Sequence, residues 1–203
     1  MNKVLTLKIN KTDSLSFITD IHSKEMDLFN TPFSAYLEVK NKLTKIHKLL
    51  VGQEFYDCIG SLQQAIEGKR RIVNKLGNNI DLGLLWNEHT QKIIQAEESG
   101  KPVKNWHWEG DFLVLFFNHA DGENSCVTFL YNDDNGNIIF EVSLEYPWFF
   151  IENDPDISYE NWLSQYKTFY KTIISKDVAM KWIEQMAMFR DKLDANMTCC
   201  KNK

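Results

Sequence analysis

A hairpin written into residues 126–145 constrains the fold more than any other part of the chain. Two apolar runs, 126–131 and 138–145, flank Asn132-Asp133-Asp134-Asn135-Gly136-Asn137. Asn-Gly favours a two-residue turn because both central positions take positive φ. With Asn135 and Gly136 at the centre, Tyr131 pairs with Phe140, Phe129 with Val142 and Val127 with Leu144, so one face is wholly apolar. The other face sets Thr128 against Ser143 and Leu130 against Glu141. A slip of one residue would mix the two faces, so the pattern predicts this register. Residues 112–117 are apolar on both sides and predict a central, covered strand beside the hairpin.

Helical periodicity lies on both sides of this block. Phe55, Ile59, Leu62 and Ile66 share one face, predicting a helix over 53–76 that Gly68 weakens and Gly77 caps. A second helix, 80–98, carries Leu82, Leu85, Trp86, His89 and Ile93 on one face and stops at Gly100 and Pro102. Ser158 is suited to cap a helix with Trp162, Tyr166, Phe169, Tyr170 and Ile173 inward. Ser175 or Asp177 caps the last helix, with Val178, Trp182, Met186, Phe189 and Leu193 along one side and a frayed polar tail from about residue 195. Residues 4–9 alternate as an edge strand. Residues 14–29 fit either period. Residues 33–50 also support two readings: steps of three or four through Phe33, Leu37, Lys40, Leu43, Ile46 and Leu50 suit a helix, and alternation over 34–39 suits a strand. The resulting expectation is one α+β domain, an antiparallel sheet dominated by residues 112–145 and packed with helices.

Charge is segregated along the chain. Residues 105–166 contain no Lys or Arg and twelve Asp or Glu, and the flanks on both sides are net positive. Tyr146, Trp148, Phe149 and Tyr159 interleave with the acids, and aromatic anchors inside a charged rim are a common interface design. Asp133, Asp134, Glu141, Glu145, Tyr146, Trp148, Glu152, Asp154 and Asp156 are therefore the expected contacts for a basic protein partner. The ordinary alternative is a solvated acidic face, with Lys69, Arg70, Arg71 and Lys75 as a solvated helix end or as internal counter-charges. A pI of about 5.6 argues against general nucleic-acid binding. No 18-residue apolar run is present, so no membrane span is expected. Four Cys in a chain this long do not make a disulfide framework, and a reducing cytoplasm fits them.

Catalytic motifs are absent: there is no Gly-x-Ser-x-Gly, P-loop or dinucleotide-binding fingerprint. His107, Glu109, His119, Asp121 and Glu123 are metal-ligand types, but they flank the expected strand 112–117 and leave from opposite ends of it. Glu141 and Glu145 lie roughly 13 Å apart along one strand, too far for a retaining glycosidase pair. The expectation is a non-enzyme without cofactor, monomer favoured. A small metal- or carboxylate-dependent enzyme is the alternative, and an oligomeric structural protein, pairing through Met180, Met186 and Met188, is the second.

The run Gly136-Asn137-Ile138-Ile139-Phe140-Glu141-Val142-Ser143-Leu144-Glu145-Tyr146-Pro147-Trp148 is followed by Tyr159-Glu160-Asn161-Trp162 and by Ile174-Ser175-Lys176-Asp177-Val178-Ala179-Met180-Lys181-Trp182-Ile183. Over residues 80–193 this pattern resembles bacterial immunity proteins encoded beside polymorphic or contact-dependent toxins. The resemblance implies a cytoplasmic protein that binds a cognate toxin domain, often a basic nuclease, and neutralises it.

Overall fold

The computed structural model describes residues 2–22, 26, 31–72, 81–101, 108–114, 126–146 and 158–200. Among the described residues, two antiparallel sheets and four α-helices make an α+β fold. The first sheet is a meander of β1 (Asn2–Lys8), β2 (Ser14–Thr19), β3 (Pro32–Val39) and β4 (Lys42–Leu50), in that spatial order. The second contains β5 (Cys126–Asn132), β6 (Ile138–Leu144) and β7 (Thr168–Ile174), with β6 in the middle.

Residues 33–50 form a hairpin, so the helical reading of that stretch fails. Lys40 and Asn41 both adopt positive φ, 48° and 68°, between directly paired strands. That two-residue turn matches the twist of its strands and decides a segment whose side chains fit both periods. β1 is an edge strand as expected.

α1 (Val51–Ile66) is shorter than its periodicity suggested. Gly68, at φ 71°, ends it: its amide bonds the Ala65 carbonyl, and the Lys69 amide bonds that of Gln64. Gly68 is thus the cap; Gly77 lies outside the described residues. α2 (Leu82–Glu98) starts at Asp81, whose carboxylate accepts from the Leu84 amide.

The hairpin of β5 and β6 forms, with a register one residue away from the expected one. Asn132 pairs with Ile138, Leu130 with Phe140 and Phe129 with Glu141. The reason is the turn. Asp133 spans it, accepting from the amides of Asn135 and Asn137, and only Gly136 takes positive φ, so five residues connect the strands. The Asp133 side chain outcompetes the Asn-Gly preference. The mixed faces that follow are tolerated because this sheet is covered on both sides. Leu130, Phe140 and Val142 face the main core, while Val127, Phe129, Tyr131 and Ile139 face α2 in a second cluster.

The expected central strand over 112–117 is absent in its described part. Residues Trp108–Phe112 make a 3-10 turn, and Leu113 and Val114 pair with the outer edge of β5, Val114 packing into the main core. Residues 115–117 lie outside the described residues. The helix begun at Ser158 is also cut short: α3 covers Tyr159–Gln165, and the chain then runs as β7. Phe169 and Ile173 therefore point to solvent instead of inward. α4 (Lys176–Cys200) continues past the expected fraying point, and Asn196 bonds the Met26 carbonyl. In the main core, Trp182 of α4 stacks edge-on against Phe140 and bonds the Lys8 carbonyl, joining both sheets. Met186 is fully buried there, while Met180 and Met188 are exposed.

Candidate functional site

Where α2 crosses β6, a buried carboxylate organises the contact. Glu141 is fully buried and accepts from the Gly83 amide (2.9 Å), the Tyr131 hydroxyl (2.9 Å) and the Ser143 hydroxyl (3.1 Å). The Lys171 ammonium lies 3.2 Å away, across the β6–β7 pair. A carboxylate at a helix N-terminus gains from the exposed amides and the helix dipole. Burial, followed by the Glu141 charge, pushes the Tyr131 hydroxyl above its ordinary range. Next to it Asp81 accepts from Tyr166 (2.8 Å) and from Thr168, tying β7 and its approach to the start of α2.

This corrects one expected contact. Glu141 cannot meet a partner, because its oxygens are consumed inside the fold. The one-residue register shift turns it toward α2, where the sequence suggested an open face. Two further cations enter the cation-free stretch from outside. Arg70 is buried, bonding the carbonyls of Leu130 (2.8 Å) and Asp111 (2.8 Å) and stacking on Phe112. The Arg71 backbone bridges to that of Asn132, and its guanidinium reaches the hairpin turn, 4.0 Å from where a β-carbon on Gly136 would lie. The stretch is therefore partly neutralised by both chain halves. Arg70 is not a solvated helix end.

The other expected contacts do not converge. Asp134 is exposed at the hairpin turn, and the Asp133 carboxylate is occupied by Asn135 and Asn137. Glu145 and Tyr146 lie at the opposite end of β6, roughly 20 Å away by strand rise. Trp148, Glu152, Asp154 and Asp156 lie outside the described residues. Of the metal-ligand types, Glu109 is described; it is fully buried and 2.5 Å from Nδ1 of His89. Among the described residues no cluster of three or more His, Cys, Asp or Glu is placed to hold a metal.

A different grouping emerges at the Tyr146 end. Asn87, fully buried on α2, accepts from the Tyr146 amide (2.7 Å) and donates to the Gly83 and Leu144 carbonyls. This fixes Tyr146 beneath α3. Its ring meets Tyr159 at 5.3 Å and Trp162 at 5.5 Å, and Trp162 meets Tyr166 at 5.3 Å. Burial, with Glu88 and Glu160 adding negative potential, pushes the Tyr159 hydroxyl up to about 12. Glu145 accepts from the Trp86 indole at 2.9 Å. Four rings thus meet at a corner flanked by Glu88 and Glu160, and no residue of α3 is buried.

Sequence reasoning named Glu145, Tyr146 and Tyr159 as interleaved acid and aromatic residues, but it placed Trp162 and Tyr166 in a core. The signal for the corner was the Ser158 cap, which starts α3, combined with the β-branched run of β7 that ends it. Asn87 carried no signal. No protein-family model, curated protein or solved structure matches this chain.

Proposed function

We propose that the chain is a non-catalytic inhibitor of a cation-bearing protein, acting as immunity proteins do, with the corner of Tyr159, Trp162 and Tyr166, backed from beneath by buried Tyr146, as its contact surface. The observation that carries this reading is the cluster of half-buried rings, Tyr159, Trp162 and Tyr166, on and just after a helix none of whose residues is buried, with Glu160 of that helix and Glu88 of α2 beside Tyr159. A Lys or Arg side chain laid on such rings gains from the ring quadrupole and from the adjacent anions. The partner would be blocked sterically, and charge would steer the encounter. This reading moves the contact away from Glu141 and the hairpin turn and keeps Tyr146 as the buried support of the corner.

The test is co-expression with the terminal domain of the protein encoded by the adjacent reading frame. Relief of that domain's growth arrest is expected, and Trp162→Ala with Glu160→Lys should weaken association at least tenfold. Full growth arrest in the presence of the chain would refute the inhibitor reading. Unchanged association in the double variant would remove this corner from the interface.

A further inference from the structure

The two sheets present four outer strand edges, and three of them are defended. The edge of β5 is closed by the chain itself. The Val114 amide bonds the Thr128 carbonyl, the Arg70 guanidinium bonds that of Leu130, and the Asn132 amide bonds that of Arg70. β1 carries Lys3 and Lys8 with an extra residue at Val4; β4 carries Lys42 and Lys45 with one at Ile46. Lysines and bulges on an edge discourage a further strand.

β7 differs. Its one irregularity lies at its start, at Phe169, and pairing with β6 is regular from Tyr170 to Ile174. Its one lysine, Lys171, leans back over Tyr131 to reach buried Glu141. Phe169 and Ile173 stand out to solvent on the same face, 37% and 59% exposed. Among the described residues, β7 is paired along one edge, by β6, and no backbone hydrogen bond reaches it from its far side.

We infer that the outer edge of β7 takes up an extended strand of a protein partner, with apolar residues opposite Phe169 and Ile173 and acidic residues toward its ends. The backbone of an edge can be satisfied along its length by another extended chain, and alternate side chains then set specificity. The acidic ends follow from Lys167 and Lys176, exposed at either end of the strand. A second copy fits poorly, since antiparallel self-pairing about the strand centre sets Lys171 against Lys171, and like charges directly opposite are unfavourable. The inference stands on strand geometry and does not depend on the aromatic corner.

The experiment uses the full chain and an end-blocked octapeptide alternating valine and glutamate, with a valine–lysine octapeptide as control. Amide exchange followed by NMR should show saturable new protection along β7 with the glutamate peptide. The Phe169→Lys/Ile173→Lys variant, confirmed folded by its thermal melt, should lose at least tenfold in affinity. Equal binding of both peptides, equal binding by the variant, or no binding would overturn the inference. So would β7 amides already protected on both edges in the free chain, or a peptide-free dimer dissociated by the double substitution.

Discussion

A β-carbon added to Gly83 would lie 2.1 Å from Cβ of Ser143, well inside contact distance. The first turn of α2 is pressed against β6 more closely than any side chain at position 83 permits. That approach brings the Gly83 amide to Glu141.

Gly83→Ala should therefore destabilise the protein by about 1–3 kcal/mol, the usual cost of overpacking a tight contact, despite alanine's better helix propensity. Gly60, inside α1, has nothing within 4 Å of its added β-carbon. Gly60→Ala should stabilise by about 0.5–1 kcal/mol. Urea denaturation of the two variants checks both signs.

Burial holds His47 well below its ordinary value, at about 4, with its Nε2 2.7 Å from the Thr128 hydroxyl. The unfolded chain takes up this proton near pH 6.5, whereas the folded chain resists until about 4. The contribution is therefore complete above pH 6.5 and is lost progressively as pH falls to about 4, by up to about 3 kcal/mol. His47→Gln should flatten the stability profile across that window, measured by denaturation midpoints at a series of pH values.

Glu141→Gln keeps an acceptor for Gly83 but leaves Lys171 without its counter-charge. Because Lys171 is 35% exposed and reaches water, the cost should be about 1–3 kcal/mol, below that of a fully buried pair. Lys171→Met should cost more, since it strands a buried carboxylate. A double-mutant cycle measures their coupling. Neither change should slow association with a partner held at the aromatic corner.

Asn87→Ala removes three hydrogen bonds, one within α2 and two between α2 and the end of β6. A loss of about 2–4 kcal/mol is expected, since it leaves buried backbone groups of Leu144 and Tyr146 without these partners. The rings above Tyr146 should loosen with it, read as a drop in near-ultraviolet circular dichroism from Tyr159 and Trp162.

Local chemistry made much of the fold legible. The apolar faces of α1, α2 and α4 come from periodicity, and Asp81, Ser158 and Ser175 cap helices through side-chain oxygens. What misled was tertiary. The hairpin register turned on one Asp133 carboxylate, and the length of the helix after Ser158 turned on a β6 edge awaiting β7. Glu141 read as a surface acid because nothing local announced that Lys171, thirty residues on, and the Gly83 amide would both reach it.

With Arg70 and Val114 bolted across its β5 side, the three-stranded sheet of the described residues leaves β7 as its one open edge. A β5 edge occupied in this way cannot receive the β7 edge of a second copy, so copies of this chain cannot stack edge to edge through this sheet into a filament.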